Sequence, residues 1–376
     1  MNGRAYLDHA STSPLRPGVL DAMLPYFGDE FADPGRVYSE GRATRVALEN
    51  AREQVAAFFD ARPREVVFTS GGTESVNAAI WGAVARAGGR GHVVTSAVEH
   101  SCVLDACERH GIDITKVPVD AAGRFHAHDI AAAIREDTIL VTIQLANHEV
   151  GTLQPAADAV AVGRARNVLT HVDACAAVGH LPLSFKALGP DLCSVTAHKF
   201  GGPKGAGALL VRRGLRVPPF IVGGAQERAR RGGIENVPAM VGFARACATA
   251  AVDEEAAQQR ALTEQARRAI AAIPDVTFYG DPSRSLPNIL CFGVAGVEAE
   301  PILLALDQHD IALHSGSSCS SEALEPSPVL EAMGADADHS LRLSVGWSST
   351  EHDIDRFAVA LPEIVTRFRG MRGVRR

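Results

Sequence analysis

The stretch "SVTAHKFGGPKG", residues 194–205, decides the fold of this chain. Its apolar start predicts a core strand, which stops at a polar pair, His198 and Lys199, and a Gly/Pro-rich loop follows at once. Lysine is almost never fully buried without a partner. A lysine at the edge of a core strand is therefore either incidental or chemically active. Lys204 lies inside the loop and is expected to be exposed, which favours Lys199 as the active lysine.

Short apolar runs alternate with longer amphipathic segments on both sides of this stretch. Predicted strands lie at 65–70, 92–98, 138–145, 168–174, 192–197 and 207–213, and predicted helices at 73–87, 101–110 and 156–166. Apolar runs of this length separated by helices are typical of βαβ units, in which a mostly parallel sheet is covered on both faces. The pattern therefore predicts an α/β fold.

A change of pattern divides the chain into two predicted domains. Residues 236–272 are Ala-rich with helical spacing, and after them short strands ("TFYGDP", "LPNILCFGV", "LRLSVGW") alternate with helices at 298–308 and 351–369. With 376 residues the chain exceeds the size at which a single core usually stops growing. We expect a large domain at 15–255 and a small α+β domain formed by 1–14 and 256–376.

The composition excludes several classes of protein. Apolar residues make up 46% and charged residues 22%, and the net charge is −7, which indicates an ordinary globular protein and no nucleic-acid surface. The basic tail at 367–376 is interpreted as a solvated end. No signal segment or bilayer-length apolar run is recognisable, so we expect no membrane association. Seven scattered cysteines without a CxxC pair argue against a disulfide framework and against a metal site, and favour a cytoplasmic protein with reduced thiols.

Polar residues follow several of the predicted strands, where open α/β sheets bind their ligands. The turn "TSGGTES" (69–75) places Gly72 and Thr73 at a helix start, which suits a phosphate group. His100, Asp173 and Lys199 follow three other strands. Each residue alone has a structural explanation, such as a helix N-cap for Asp173. Together they indicate pyridoxal phosphate, which needs a lysine for its Schiff base, a carboxylate for its ring nitrogen and an anion site.

Two residues of the second half add to this pattern. Cys319 lies in the Ser/Gly-rich run "LHSGSSCSSEALEPS", a composition typical of exposed loops, where a thiol is available as a nucleophile. The alternative is an incidental surface cysteine. Arg342 lies on the predicted strand "LRLSVGW", and its guanidinium matches the carboxylate of an amino acid.

The chain resembles the NifS/IscS-type cysteine desulfurases in motifs that occur in the family's order over nearly its whole length. These motifs are "YLDHASTSP", "FTSGGTESVNAA", "EHSCVL", "NHEVGTLQP", "HVDACAAVGHLPL", "AHKFGGPKGAGAL", "GGAQERARRGG", "SGSSCSSEALEPS" and "LRLSVG". The resemblance implies a pyridoxal-phosphate enzyme of the aspartate aminotransferase fold (fold type I). That fold has a large domain with a mostly parallel seven-stranded sheet and a smaller α+β domain, and it forms a homodimer.

The resemblance also implies a reaction and a set of roles. L-cysteine would be converted to L-alanine, and the sulfur would pass to Cys319 as a persulfide and on to an acceptor protein, for example in iron–sulfur cluster assembly. Cys319, Lys199 and His100 would be catalytic, and Arg342 and Asn147 would bind the substrate. The residues implied for the cofactor are Lys199, Asp173, Gly72, Thr73, His100, Thr196, His198 and His148.

Three positions depart from the family's usual pattern. His148 stands where the family has a second Asn, Ala176 where a Gln contacts the cofactor's ring oxygen, and Ile234 where a Thr reaches the phosphate from the neighbouring subunit. A neutral hydrogen bond contributes roughly 0.5–1.5 kcal/mol net, so uncompensated losses would weaken cofactor affinity. Two alternatives therefore stay open. One is a related lyase or aminotransferase, such as a selenocysteine lyase, that does not use Cys319, and the other is a non-catalytic sulfur-relay scaffold.

Overall fold

The computed structural model describes residues 3–315 and 326–373, which form an α/β structure with three sheets. The strands are β1 Ala5–Tyr6, β2 Val66–Thr69, β3 His92–Ser96, β4 Asp113–Val117, β5 Thr138–Gln144, β6 Leu169–Asp173, β7 Leu192–Thr196, β8 Gly207–Val211, β9 Val276–Tyr279, β10 Ile289–Val294, β11 Ile311–Ala312, β12 His314–Ser315 and β13 Ser340–Ser344.

Helices separate most of these strands. They are α1 Val19–Met23, α2 Ser39–Phe58, α3 Gly72–Arg86, α4 Ser101–Arg109, α5 Ala127–Ala133, α6 Ala156–Ala165, α7 Phe185–Leu188, α8 Gln226–Ala229, α9 Val237–Thr249, α10 Val252–Ala271, α11 Ala299–Gln308, α12 Pro328–Ala332 and α13 Glu351–Gly373. Among the described residues no helix is both long and apolar enough to cross a membrane.

The largest sheet has seven strands in the order β2-β8-β7-β6-β5-β3-β4. Its neighbours pair in parallel except at β8, which runs antiparallel to both β2 and β7. The mostly parallel seven-stranded sheet that the family resemblance implies is therefore confirmed. Because both of its faces are covered, central strands such as β7 and β8 are buried at every position.

The two largest hydrophobic cores of the described residues surround the two larger sheets. One lies around the seven-stranded sheet and includes Phe59, Phe200 and Phe243, where α2 packs against α9. The other lies around the antiparallel sheet β12-β13-β10-β9 and includes Phe292 and Phe357. The second core contains residues of both chain ends, because β1 pairs with β11. The predicted division of the chain near residue 255 stays a prediction, and residue 255 lies within helix α10.

Candidate active site

Three neighbouring strands end side by side at one edge of the large sheet. In the register of β5, β6 and β7, Gln144 lies beside Asp173, and Asp173 lies beside Ser194, two residues before Thr196. The β7 strand then leads directly into His198 and Lys199. The parallel order of these strands therefore brings residues that are far apart in sequence to one edge, where α/β sheets bind ligands.

A cavity of about 340 Å³ opens at this edge. Nine of the residues proposed to hold the cofactor or the substrate line it, namely Gly72, Thr73, His100, His148, Asp173, Thr196, His198, Lys199 and Arg342. These residues come from loops and elements between positions 72 and 342, so the fold assembles them from nearly the whole chain.

One side of the cavity is built to receive an anion. Helix α3 begins there at Gly72, and its N-cap residue, Gly71, has no side chain that could accept from the first-turn N–H groups. The hydroxyl of Thr196 is buried at the same place and has no hydrogen-bond partner among the described residues. A Cβ at Gly72 would lie 2.6 Å from the Cys175 sulfur, so a larger residue there would displace the Cys175 side chain. Free N–H groups, the positive helix end and an unpaired hydroxyl suit a phosphate.

An N-terminal strap, residues 8–16, holds the loop that carries Lys199. The Ser13 N–H donates to the His198 carbonyl (2.8 Å), and the Ser13 hydroxyl donates to the Lys199 carbonyl (2.8 Å). Arg16 donates through Nε to the Phe200 carbonyl (2.6 Å) and through its backbone N–H to Gly201 (2.9 Å). Four consecutive carbonyls of the lysine loop are thus fixed by one segment, which orients Lys199 toward the cavity wall.

The same strap holds Arg342, whose side chain is 1% exposed. Its Nη2 donates to Asp8 Oδ1 and to the Ser11 hydroxyl (both 2.8 Å), and its Nη1 donates to the His148 carbonyl (2.9 Å). The Nε of Arg342 is buried and has no hydrogen-bond partner among the described residues. A guanidinium with an unused donor at a cavity suits a substrate carboxylate.

The three imidazoles of the cavity have different surroundings. His100 is the N-cap of α4, and its Nδ1 accepts the backbone N–H of Cys102 at 3.1 Å. His148 lies 5.2 Å from His100 between ring centroids, with the planes inclined by 60°. Burial, assisted by Lys199 and Lys204, lowers the pKa of His198 to about 4, so this ring is neutral at pH 7.

The carboxyl groups also differ. Asp173 Oδ1 accepts the backbone N–H of Cys175 at 3.0 Å. Burial raises the pKa of Glu99 to about 8, against the hydrogen bonds that it accepts from Ser96 and from the Gln144 N–H. Glu99 is therefore mostly protonated at pH 7. Asp173, unlike Glu99, is among the residues that line the cavity.

Other predicted residues lie elsewhere. Asn147 is fully buried and is not among the residues that line the cavity. Its Oδ1 accepts the N–H groups of Glu149 and Val150 (both 2.8 Å), which fixes the turn after β5, so its contact with substrate stays a prediction. Cys319 lies outside the described residues. Ala176 lines the cavity without a polar group, and Ile234 is 63% exposed.

Sequence analysis missed several residues at the cavity. Cys102, Cys175 and Gln144 line it, and Ser11 both lines it and supports Arg342. Ligands of α/β sheets bind beyond the carboxyl ends of the strands. This rule could have identified Gln144, the last residue of β5, and Cys175, two residues after Asp173. Ser11 lacked such a signal, because its partner is 331 residues away in the chain.

The fold and the cavity together define a class of protein. A lysine and a carboxylate at the ends of adjacent strands, beside an anion site with an unpaired hydroxyl, fit pyridoxal phosphate. The chain has the fold of a pyridoxal-phosphate-dependent enzyme of the aspartate aminotransferase type, and the residues at its cavity fit that cofactor.

Comparison with known proteins agrees with this class. Residues 5–357 match the family model of the class-V aminotransferases. A "Cysteine desulfurase IscS" of Methanosarcina thermophila is 40% identical over 98% of this chain and 94% of its own length. A "Cysteine desulfurase, mitochondrial" of Arthroderma benhamiae is 41% identical over 98% of this chain and 76% of its own. A solved structure titled "NIFS-LIKE PROTEIN" has a TM-score of 0.91 at 31% identity, and covers 97% of this chain and 100% of that one. The chain belongs to the class-V aminotransferase family.

Proposed function

We propose that this chain is a pyridoxal-phosphate-dependent cysteine desulfurase, which converts L-cysteine to L-alanine and transfers the sulfur to a cysteine of its own. The observation that carries the proposal is the cavity in which Lys199, Asp173 and Arg342 meet beside the anion site of α3. A relative solved as "SspA in complex with cysteine", with a TM-score of 0.81 at 31% identity and covering 92% of this chain and 100% of that one, supports L-cysteine as the substrate.

Different residues of the cavity would bind different parts of the cofactor. Lys199 would hold the cofactor covalently, Asp173 would pair with its ring nitrogen, and His100 would lie against the ring. Thr73, Thr196, His198 and the N–H groups at Gly72 would hold its phosphate. When bound, pyridoxal phosphate withdraws electrons from the Cα of the amino acid attached to it.

The remaining residues act on the substrate. The Nε–H of Arg342 faces no partner among the described residues, and would bind the substrate carboxylate. His148 and Asn147 support this end of the cavity through the turn after β5. Cys319 would attack the sulfur and carry it as a persulfide to an acceptor protein.

We infer that the enzyme is a homodimer. Large apolar side chains are exposed along the segment 20–37, with Phe27 65%, Phe31 75% and Val37 85% exposed. Such an exposed apolar patch favours an interface between two copies of this chain. Light scattering of the purified protein, which measures the mass in solution, tests whether the protein is a dimer. The six described cysteines form no disulfide with one another, which supports a cytoplasmic, reducing location.

The deciding experiment measures alanine formed from L-cysteine by the protein supplemented with pyridoxal phosphate, beside Cys319→Ala and Lys199→Ala. We expect alanine from the wild type alone. Equal turnover by Cys319→Ala would instead indicate a lyase or aminotransferase that does not use this thiol. Failure of the wild type to develop the cofactor's absorbance would contradict the proposal and favour the scaffold alternative.

A further inference from the structure

The guanidinium of Arg342 is largely occupied by the protein itself. Its Nη2 is shared between the Asp8 carboxylate and the Ser11 hydroxyl, and its Nη1 donates to the His148 carbonyl. Among the described residues, Nε is the nitrogen of this guanidinium that has no partner. An arginine commonly binds a carboxylate through two parallel N–H groups. Here Nε can bind one carboxylate oxygen of a substrate, and the other oxygen needs a further donor.

Asn147, which the family resemblance implies for the substrate, does not supply that donor in this structure. It is fully buried and is not among the residues that line the cavity. Its Oδ1 accepts the N–H groups of Glu149 and Val150, and its Nδ2 donates to the Val98 carbonyl at 3.1 Å. The backbone around Asn147 thus binds both ends of its amide group. A donor for the other carboxylate oxygen has to come from the cavity wall.

Ser11 offers a hydroxyl in that wall, next to the guanidinium. Of the three described wall residues that carry a hydroxyl, Thr73 and Thr196 lie at the anion site, and Ser11 is the one bonded to Arg342. The Ser11 oxygen lies 2.8 Å from Nη2 and 2.9 Å from Asp8 Oδ1, which itself lies 2.8 Å from Nη2. In this closed triangle, Ser11 accepts from the arginine and donates its hydroxyl hydrogen to the aspartate.

The backbone holds the Ser11 oxygen in place, whereas its hydrogen can turn. The Ala10 N–H donates to the hydroxyl of Ser344 on β13 (2.9 Å), and the Ser11 N–H donates to the Asp8 carbonyl (3.2 Å). A hydroxyl hydrogen rotates to suit its acceptor. Ser11 can therefore turn its O–H from Asp8 to a carboxylate without losing the bond that it accepts from Arg342.

We propose that Ser11 is a substrate-binding residue, whose hydroxyl donates to the α-carboxylate of the substrate beside Nε of Arg342. The inference deepens the proposed function and rests on its assignment of Arg342 to that carboxylate. In the free enzyme the O–H of Ser11 points to Asp8, and on binding it turns to the substrate. An amine without a carboxylate offers no acceptor that could draw the hydroxyl away from Asp8. Ser11 and Arg342 together therefore select amino acids over simple amines.

The first test compares two ligands of the protein loaded with pyridoxal phosphate, L-alanine and ethylamine, which lacks the carboxylate. Their Kd values are measured from the change in the cofactor's absorbance. In Ser11→Ala we expect the Kd for L-alanine to rise about 10-fold, because one carboxylate oxygen loses its donor. The Kd for ethylamine should stay within about 2-fold of wild type. Equal affinity of the variant and the wild type for L-alanine, or an equal loss for both ligands, would overturn the proposal.

Ser184→Ala is the matched control. The Ser184 hydroxyl donates to the Asp60 carboxylate at 2.6 Å, as Ser11 does to Asp8, but Ser184 is not among the residues that line the cavity. This variant should keep the wild-type affinity for both ligands. Ser11→Gly is the second variant at the site, in case Ser11→Ala does not fold.

A second test separates direct contact with the substrate from an effect through Arg342. In an Arg342→Lys background, Ser11→Ala should still raise the Kd for L-alanine by more than about 2-fold, the usual error of additivity. No further loss would show that Ser11 only positions the arginine, and the proposal would be wrong. If Arg342→Lys binds too weakly for titration, the infrared carboxylate stretch of bound ¹³C-labelled L-alanine decides. It should move in Ser11→Ala and not in Ser184→Ala, and an unmoved band in both contradicts the contact.

The two proposals fail in different ways. If the wild type forms alanine from L-cysteine and Ser11→Ala binds L-alanine as tightly as the wild type, the role of Ser11 is wrong and the desulfurase stands. If the wild type forms no alanine but Ser11→Ala loses affinity for L-alanine and not for ethylamine, the desulfurase is wrong. Ser11 then binds the carboxylate of another amino acid substrate.

Discussion

At the scale of single residues, the most informative atom is one without a partner. The hydroxyl of Thr196 is buried at the end of β7 and pairs with nothing among the described residues. Buried polar atoms are normally satisfied, and an exception in a native fold calls for a ligand or for water. The sequence proposed Thr196 only through a family resemblance, whereas the geometry explains why a hydroxyl is required at that position.

Thr196→Val removes this hydroxyl with almost no change of shape. We expect the dissociation constant for pyridoxal phosphate, measured by absorbance titration, to rise roughly 2- to 10-fold, the equivalent of one net hydrogen bond. The thermal stability of the apo protein should not fall, because no described bond is lost. Thr142→Val is the matched control. Its buried hydroxyl bonds His171 at 2.7 Å, so that variant should lose stability and keep its cofactor affinity. The reverse result would contradict the assignment of the anion site.

At the scale of elements, the short α8 segment is strained. Glu227, Arg228 and Ala229 have φ values of 48°, 59° and 61°, a left-handed turn without glycine. The buried pair of Arg52 with Glu227 (2.6 Å at both contacts) and the bond from the Phe68 N–H to Glu227 hold this turn in place. Left-handed geometry costs about 1–2 kcal/mol for a residue with a Cβ.

Ala229→Gly should relieve part of that strain. We expect the free energy of unfolding, measured with urea, to rise by about 0.5–1 kcal/mol, since the gain in geometry exceeds the entropy cost of glycine. Ala261→Gly, on an exposed position of helix α10, should lower it by about 1 kcal/mol. If both variants lose stability equally, the left-handed turn is not strained.

The N-terminal strap is the second element with a measurable contribution. Arg16 forms a two-point ion pair with Glu255 (2.5 Å at both contacts), with side chains 4% and 13% exposed. Arg16→Met leaves the Glu255 carboxylate without this partner and the Phe200 carbonyl without a donor, so we expect a loss of about 3–5 kcal/mol in urea unfolding. Arg4→Met removes an exposed ion pair with Asp307 and should cost under about 1 kcal/mol. Similar losses in the two variants would show that the strap does not depend on Arg16.

The elements also show how far the sequence could predict this fold. All six strands predicted for the large sheet are confirmed, because each is an apolar run with both faces buried. The missed strand, β4 "DITKV", lies at the edge of the sheet, and only its last residue is buried. The site residues after the strands followed from the same pattern. The strap did not, because its bonds to residues 198–201 join segments more than 180 residues apart and leave no local signal.

At the scale of the whole molecule, buried histidines link stability to pH. Burial lowers the pKa of His9 to about 3 and of His171, His180 and His198 to about 4. His180 bonds Gln259 at 3.0 Å and Asn288 at 3.3 Å. In the unfolded chain these rings take up protons near pH 6.5. The stability that they contribute is therefore complete above that pH and is lost as the pH falls toward 4.

We expect the free energy of unfolding to fall as the pH is lowered from 7 to 5, by up to about 1.4 kcal/mol per pH unit for each of these rings. The midpoint of urea unfolding should fall with it. Glu99 opposes this trend, because its raised pKa favours the folded state at low pH. The combined effect of the four histidines named above should exceed the effect of this single carboxyl group. The fall should be shallower in His180→Gln and unchanged in His128→Gln, whose ring is exposed. A midpoint that stays level or rises toward pH 5 would contradict this account.

The bond between Asp8 and Arg342 has a consequence for the order in which the protein matures. Its partners are 334 positions apart, so during synthesis the strap leaves the ribosome long before β13 exists. The large sheet has all of its strands once residue 211 is out, but the arginine end of the cavity is not closed until residue 342 follows. The end of the cavity that would bind the substrate carboxylate is therefore completed only after translation has passed β13, later than the strand ends that carry Asp173 and Lys199.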